Sequence, residues 1–131
     1  MKLLVLGASG LLGRGFINQY NNDRDLKLFS VFRNNLCDKF YKNDERKFFL
    51  YEQNILKDNV IRDLLKKIKP DVVINCIGLT DHSMQPTEKN TMVDINTLWP
   101  KRLHSVCMDL NIRFIHISTD CVFSGSRGMY T

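Results

Sequence analysis

The chain has 131 residues, of which 44% are apolar and 25% charged, with a formal net charge of +5. Such a composition predicts a single globular domain. No apolar run approaches the roughly 18 residues that cross a bilayer, and the run at the N-terminus is too short for a signal peptide, which argues against membrane and secreted proteins. A cytoplasmic protein is therefore expected.

The cysteines and histidines form no pattern typical of a metal site. They are widely scattered along the chain: Cys37, Cys76, Cys107 and Cys121, with His82, His104 and His116. No C-x-x-C pair is present and no histidine lies at zinc-ligand spacing from a cysteine. We therefore predict no metal, and we expect the thiols to be reduced and to act as small core residues.

The positive net charge raises the question of a nucleic-acid partner. Such an interaction would use the basic residues of one region, Arg33, Lys39, Lys42 and Arg46. However, the basic residues of Lys39–Lys47 and Lys57–Lys69 alternate with acidic ones, which is typical of solvated surfaces. The charge pattern thus disfavours nucleic acid as the partner.

Short apolar runs alternate with helical patterns along the chain. Five runs predict strands, at Lys2–Leu6, Lys27–Phe32, Lys47–Tyr51, Asp71–Cys76 and Arg113–Ser118. Three segments predict helices, at Leu11–Tyr20, Lys57–Ile68 and Met92–Leu110. Continuous apolar runs are typical of strands that are buried on both faces of a parallel sheet. The predicted fold is therefore α/β, a doubly wound parallel sheet of the Rossmann type with strand order 3-2-1-4-5.

The first predicted strand leads into a glycine-spaced turn that opens the first helix. Gly7 permits a tight turn, Gly10 lets backbone N–H groups approach a diphosphate, and Gly13 lets the helix pack closely on the sheet. The positive end of the helix dipole favours an anion at the same place. The turn therefore predicts a site for the diphosphate of a dinucleotide.

The residue after the second strand bears on the choice of dinucleotide. An NAD site usually places an acidic residue here for the ribose 2′-hydroxyl, whereas this chain has Arg33. A guanidinium group suits a 2′-phosphate, which favours NADP over NAD. The alternative is a solvated arginine at the entrance of a loop.

The ends of the third and fourth strands are expected at the same cleft. Asn54 would bond the edge of the adenine, and Ile55 would cover its face. After the fourth strand, Cys76 and Ile77 lead to Gly78, which would allow close passage of the cofactor. The alternative for Gly78 is a turn glycine that is needed only for a positive φ.

The long predicted helix contains Asn96 and, four residues later, Pro100. Proline has no N–H to donate to the carbonyl of Asn96, and its ring pushes that carbonyl away. This predicts a kinked helix with a freed acceptor near the cleft, suited to hold a water in a proton relay. The alternative is a tolerated kink in a packed helix.

Polar side chains follow the fifth predicted strand, at Ser118, Thr119 and Asp120. A hydroxyl group at this place can donate a hydrogen bond to the carbonyl oxygen of a substrate. A carboxylate can bind a substrate hydroxyl group. The end of this strand is therefore a candidate site for the substrate.

Four blocks together resemble one known family. They are, in order, the turn Gly7–Gly13, the run Asp71–Cys76, Asn96 with Pro100, and Ile117–Gly125. The chain resembles the N-terminal part of the extended short-chain dehydrogenase/reductases, and most of all their dTDP-4-dehydrorhamnose reductase-like, sugar-nucleotide-binding branch. The resemblance covers essentially the whole chain. It implies hydride transfer from NADPH to C4 of a 4-keto-deoxysugar nucleotide.

The resemblance also implies roles for single residues. The contacts to the diphosphate would come from Gly7, Ser9, Gly10, Leu11, Leu12 and Gly13. The remaining cofactor contacts would come from Arg33, Asn54, Ile55, Cys76, Ile77, Gly78 and Asn96. Thr119 would be the catalytic hydroxyl, and Asp120 would bind the substrate.

One feature of the family is missing from the sequence. Its general acid is a tyrosine followed four residues later by a lysine, and no such pair occurs here. We therefore expect residues 1–131 to be a dinucleotide-binding domain that is truncated after strand five, with the substrate domain absent and without turnover of its own. The loss of a covering helix would expose apolar groups around Phe114 and Ile115, which is compatible with a homodimer.

Two other functions remain open for the same fold. One is a non-catalytic, NADP-binding regulatory subunit that contacts a partner protein. The other is a different extended short-chain dehydrogenase or epimerase that acts on a nucleotide sugar. A Tyr-x-x-x-Lys pair encoded beyond Thr131 would separate the enzymes from the regulatory subunit.

Overall fold

The computed structural model describes residues 1–79 and 89–118. Within these ranges the strands are β1 (Lys2–Leu6), β2 (Lys27–Phe32), β3 (Phe49–Tyr51), β4 (Val72–Asn75) and β5 (Arg113–His116). The α-helices are α1 (Leu11–Tyr20), α2 (Asp58–Ile68), α3 (Lys89–Val93) and α4 (Trp99–Asp109). A 3-10 helix spans Asp38–Phe40, and a π-helix spans Asp94–Leu98.

The strands form one parallel sheet in the order β3-β2-β1-β4-β5. The predicted fold is therefore confirmed. β1 lies at the centre, where Leu4 is paired with Phe29 of β2 and with Val73 of β4. Because all the strands run the same way, they end at one edge, here called the carboxyl edge, and begin at the opposite one, the amino edge.

Side chains of β1 alternate between two apolar cores, one on each face of the sheet. Leu4 and Leu6 belong to the core that contains residues of α2 and α4, whereas Leu3 and Val5 belong to the core on the α1 side. None of these four residues is more than 6% exposed. Helices on both faces thus explain why the strand sequence is apolar without alternation.

The third, fourth and fifth strands are shorter than the sequence predicts, since β3 begins at Phe49 rather than Lys47 and β4 begins at Val72 rather than Asp71. β4 ends at Asn75 rather than Cys76, and β5 ends at His116 rather than Ser118. The N–H of Cys76 still donates to the carbonyl of Leu6 at 2.9 Å. Beyond that bond, β1 turns away into α1, so β4 has no central neighbour to continue the ladder.

The predicted helix Met92–Leu110 is replaced by three consecutive segments, which are α3, the π-helix and α4. Pro100 lies in the first turn of α4, directly after the π-helix, and it has no N–H to donate to the carbonyl of Asn96 four residues earlier. The N–H of Trp99 donates to the carbonyl of Asp94, five residues earlier. Where a kink was expected from Pro100, the chain forms a π-helical turn that contains Asn96.

β5 lies at the edge of the described sheet. Ile115 is 36% exposed, as expected. Phe114, in contrast, is half-buried and packs against the ring of His104, with 5.9 Å between the ring centroids. The expected apolar exposure at this edge thus comes from Ile115 rather than Phe114.

Candidate functional site

The turn after β1 is fixed by backbone packing against the loop that follows β4. Gly7 has a φ of +80°, a backbone conformation that residues with a side chain rarely adopt. A Cβ atom on Gly7 would lie 2.9 Å from backbone atoms of Cys76 and Ile77. Glycine is therefore required here both for its backbone angle and for the close approach of the neighbouring loop.

Gly13 brings α1 against this turn. A Cβ atom on Gly13 would lie 2.3 Å from the carbonyl oxygen of Gly7 and 2.6 Å from the Cα of Ala8. The N-cap of α1 is Gly10, which has no side chain to accept from the first-turn N–H groups. Ser9 and Leu12 are exposed, and Leu11 is 84% exposed. The start of α1 thus presents free amide donors and an open surface to an anion.

A buried amide, Asn75, organises the loop after β4. Its side chain is fully buried. The Oδ1 atom accepts from the N–H of Ile77 at 3.2 Å and from the indole N–H of Trp99 at 3.3 Å. Its Nδ2 lies 3.1 Å from Nδ1 of His116. One side chain therefore joins β4, β5, α4 and the loop beneath the expected cofactor.

Asn96 holds the other end of the same loop. Its Oδ1 accepts from the N–H of Leu79 at 2.9 Å, and its Nδ2 donates to the carbonyl of Leu79 at 2.8 Å. The π-helical turn therefore positions a side-chain amide that pairs with backbone as a neighbouring strand would. The proton relay expected at the carbonyl of Asn96 stays a prediction.

Two residues of this loop bear on earlier expectations. Gly78 is absent from the described residues with positive φ, so the alternative of a glycine needed only for that angle is wrong. Gly78 is exposed, and a Cβ atom there would meet only Asn96 Oδ1, at 3.6 Å. Burial raises the pKa of the Cys76 thiol, which keeps it protonated and unreactive at neutral pH.

The residues expected to bind the adenosine half of the cofactor differ in their exposure to solvent. Arg33 and Asn54 are exposed, next to the ends of β2 and β3. Ile55 is only 8% exposed and belongs to the apolar core shared with α2 and α4. The structure thus leaves the two polar groups open to a ligand, while Ile55 packs mainly against the protein itself.

A polar cluster at the end of β3 was missed by the sequence analysis. Tyr51, at the end of β3, donates its hydroxyl to Asp38 Oδ1 at 2.7 Å, and Arg46 pairs with Asp38 Oδ2 at 3.1 Å. Partial burial, followed by the bond to Asp38, raises the pKa of Tyr51 to about 12. These bonds tie the segment between β2 and β3 to the end of β3. The ion pair with Asp38 also offsets the positive charge of Arg46, one of the four basic residues considered for nucleic-acid binding.

Some expected features lie outside the described residues. Thr119 and Asp120 are among these, so the catalytic and substrate-binding assignments remain predictions. Within residues 1–79 and 89–118, no group of three potential metal ligands is present. None of the helices in those ranges has the length and apolar character needed to span a membrane.

Comparison with known proteins identifies the family. The family model for the RmlD substrate binding domain matches residues 1–131. A Haloferax volcanii protein named probable low-salt glycan biosynthesis reductase Agl14 is 31% identical over 99% of the chain. The beta subunit of methionine adenosyltransferase 2 from Danio rerio is 29% identical over 98% of the chain. The chain spans 41% of the Haloferax protein and 36% of the Danio protein.

Solved structures agree with this fold. A hypothetical dTDP-4-dehydrorhamnose reductase from Sulfolobus tokodaii matches with a TM-score of 0.75 and 27% identity, over all of this chain and 44% of its own. The dTDP-4-dehydrorhamnose reductase of Bacillus anthracis, solved in complex with NADP, has a TM-score of 0.71 and 19% identity, over 97% of this chain and 39% of its own. At that identity, the second match supports the fold alone.

Proposed function

The chain belongs to the RmlD substrate binding domain family, and from this premise we propose that residues 1–131 hold NADP(H) for a reductase that acts on a 4-keto-deoxysugar nucleotide. The observation that carries the proposal is the glycine turn after β1. Gly7 and Gly13 leave no space for a Cβ atom, and the amides at the start of α1 have no side-chain cap. Such a turn binds a diphosphate through backbone N–H groups.

Each end of the cofactor has a proposed place. Ser9 to Leu12 bind the diphosphate, while Arg33 binds the 2′-phosphate and Asn54 bonds the adenine. Ile77 and Gly78 lie under the middle of the cofactor, in the loop held by Asn75 and Asn96. Ile55, which is buried, supports the adenine site from below, and Cys76, which is partly buried, belongs to the loop itself.

The proposed chemistry is transfer of a hydride to the carbonyl carbon of the sugar, with a proton going to its oxygen. Thr119 would donate a hydrogen bond to that oxygen, and Asp120 would bind a sugar hydroxyl. The sequence contains no Tyr-x-x-x-Lys pair to supply the proton. Loss of a positioned general acid lowers rates by about 10²- to 10⁴-fold. We therefore expect residues 1–131 to bind NADPH without measurable turnover.

Calorimetric titration with NADPH and NADH tests the cofactor. NADPH is expected to bind more tightly than NADH, because the Arg33 guanidinium pairs with a 2′-phosphate that NADH lacks. The variant Arg33→Ala should weaken NADPH binding by about tenfold and leave NADH binding unchanged. Lys67→Ala, an exposed residue in the last turn of α2, is the matched control and should change neither. No saturation by either nucleotide on folded protein would refute the proposal.

A regulatory subunit is the second candidate, and the likeness to the Danio rerio beta subunit favours it. Both candidates predict NADPH binding. They differ in turnover by the whole protein, which the first requires with dTDP-4-dehydrorhamnose and the second excludes. Oxidation of NADPH that depends on this sugar would therefore decide for the reductase.

Two further expectations belong to the proposal. We place the protein in the cytoplasm, since the cysteines of the described residues, Cys37, Cys76 and Cys107, are unpaired thiols, as a reducing compartment favours. We also propose a homodimer through the β5 edge, where Ile115 and Ile117 are 36% and 38% exposed. Sedimentation equilibrium tests the dimer, and a concentration-independent monomer would exclude it.

A further inference from the structure

A basic cavity lies at the amino edge of the sheet, opposite the glycine turn. Its volume is about 420 Å³, and it is lined mainly by Lys2, Arg24, Asp25, Lys27, Lys69 and Asp71. This volume falls in the range of about 300 to 1,000 Å³ that is typical of small-molecule sites. None of the roles proposed above uses these residues.

The topology explains why cations gather there. β1 and β2 both begin with a lysine, and because the strands are parallel and in register, Lys2 and Lys27 are direct neighbours. Lys69 joins them as the C-cap of α2, with a φ of +51°. Among the described residues, the ion pairs involve Arg46, Arg62 and Arg102, so none of the cavity's four basic side chains is neutralised in this way.

The acidic residues of this edge only partly offset the charge. Asp71 is engaged with backbone, since its Oδ2 accepts from the N–H of Lys2 at 2.6 Å. Asp23 precedes Arg24 in the chain but does not line the cavity, and its Oδ1 accepts from the N–H groups of Asp25 and Leu26. Lys2 Nζ donates to the carbonyl of Ile68 at 2.9 Å and keeps its charge. Four basic residues and two acidic ones therefore line the cavity, which leaves a positive surplus in a concave surface.

A second cavity of about 340 Å³ adjoins the first and shares Lys69 with it. Its lining is largely apolar, with Leu65, Pro70, Leu110 and Ile112 beside Lys66 and Lys69. A charged cavity next to an apolar one suits a ligand with a phosphate at one end and an apolar body at the other.

We propose that the amino edge binds a small organic phosphate, with its phosphate between Arg24, Lys27 and Lys69 and its apolar part against Leu110 and Ile112, which are both partly exposed. This site is separate from the glycine turn. At about 3.3 Å per residue of a parallel strand, Lys2 and Gly7 lie about 16 Å apart. A single small phosphate therefore cannot contact both edges of the sheet.

Phenyl phosphate and inorganic phosphate are the probes, added to the 131-residue chain while backbone amide shifts are followed by NMR. Phenyl phosphate is expected to shift the amides around Lys2, Lys27 and Lys69 in a saturable way, and to bind more tightly than inorganic phosphate because of the apolar cavity. The double variant Arg24→Gln/Lys27→Gln should weaken it at least about tenfold. No hydrogen bond from either side chain is present among the described residues, so the fold should be unaffected.

The double variant Lys67→Gln/Lys101→Gln is the matched control. It removes the same charge from exposed positions that line neither cavity, and it should bind phenyl phosphate within twofold of the original chain. Equal weakening in both double variants would show general attraction to a cationic protein and overturn the site. Shifts confined to residues 7–13, or no saturable shifts at all, would overturn it as well.

Discussion

The turn after β1 and the loop after β4 lie against each other at the carboxyl edge, yet they are held in different ways. The turn depends on missing atoms, since Gly7 and Gly13 leave no room for a Cβ. The loop depends on side chains that are present, because the amides of Asn75 and Asn96 form hydrogen bonds with its backbone. A surface that must approach a diphosphate excludes side chains, whereas a loop that supports it from below can use them.

The difference also concerns how far apart the partners lie in the sequence. The turn spans seven residues, Gly7–Gly13, and the overlap at Gly13 involves only the backbone of Gly7 and Ala8, while Gly7 itself lies against the loop after β4. The loop is held by residues of three other elements: Asn96 of the π-helix, Trp99 of α4 and, through Asn75, His116 of β5. Substitutions should therefore damage the turn through steric overlap and the loop through unmet hydrogen bonds.

The largest effect is expected for Gly13→Ala. A methyl group there would overlap backbone of Gly7 and Ala8 at 2.3 and 2.6 Å, and backbone cannot swing away as a side chain can. We expect the free energy of unfolding in urea to fall by about 3 kcal/mol or more. Gly15→Ala is the control, since a Cβ there meets nothing within 4 Å. It should raise stability by about 0.5–1 kcal/mol. Similar losses in both variants would show that the tight packing of Gly13 is unimportant.

Asn75→Leu should follow, because it removes the acceptor for the N–H groups of Ile77 and Trp99. A buried donor without a partner costs about 1–3 kcal/mol, so we expect a loss of about 3 kcal/mol in unfolding free energy. Trp99 is the single tryptophan of the chain, so its fluorescence should change in the folded state. Asn59→Leu, exposed on α2, is the control and should stay within about 0.5 kcal/mol. An unchanged emission spectrum in the Asn75 variant would contradict the hydrogen bond.

Asn96→Leu tests the other end of the loop and should have a smaller effect, since Asn96 is only half-buried. Loss of both bonds to Leu79 should accelerate hydrogen exchange of the Leu79 amide by about tenfold or more. Asn96→Asp keeps the acceptor for that amide, so it should preserve most of the protection. Unchanged protection in the leucine variant would mean that Asn96 does not hold the loop.

A position away from both regions should affect stability only at high pH. Burial raises the pKa of the Cys107 thiol from 9.0 to about 11. Between pH 9 and 11 the folded state therefore keeps a proton that the unfolded state has lost. The stability present below pH 9 should fall across this window by at most about 2 kcal/mol. Cys107→Ala should flatten the decline, and an equal slope in both proteins would exclude Cys107 as its source.

The local features of the chain were predictable from the sequence. The strand order followed from alternating apolar runs, and the glycine turn followed from the spacing of Gly7, Gly10 and Gly13. An irregular helix at Pro100 was expected too, because proline lacks the N–H of a regular helix, but its π-helical form was not. Strand ends were less predictable: β4 stops where its neighbour β1 turns away, which depends on both strands at once.

The side-chain network of the site could not be predicted in this way. The sequence placed Asn75 in a predicted strand and assigned no role in the site to Asn75, Trp99 or Tyr51. Each owes its role to partners far along the chain, Trp99 to Asn75 and Tyr51 to Asp38. Ile55 shows the converse, because its position after β3 suggested adenine contact while packing buried it in the core.

The sequence by itself determined a parallel sheet with a diphosphate turn, because apolar periodicity and glycine spacing act over a few residues. Only the tertiary structure decided how the loop after β4 is supported and which basic residues share a cavity at the amino edge. Both depend on distances between segments that are remote in the chain. Such distances are set by strand register and helix packing, which no short stretch of sequence encodes.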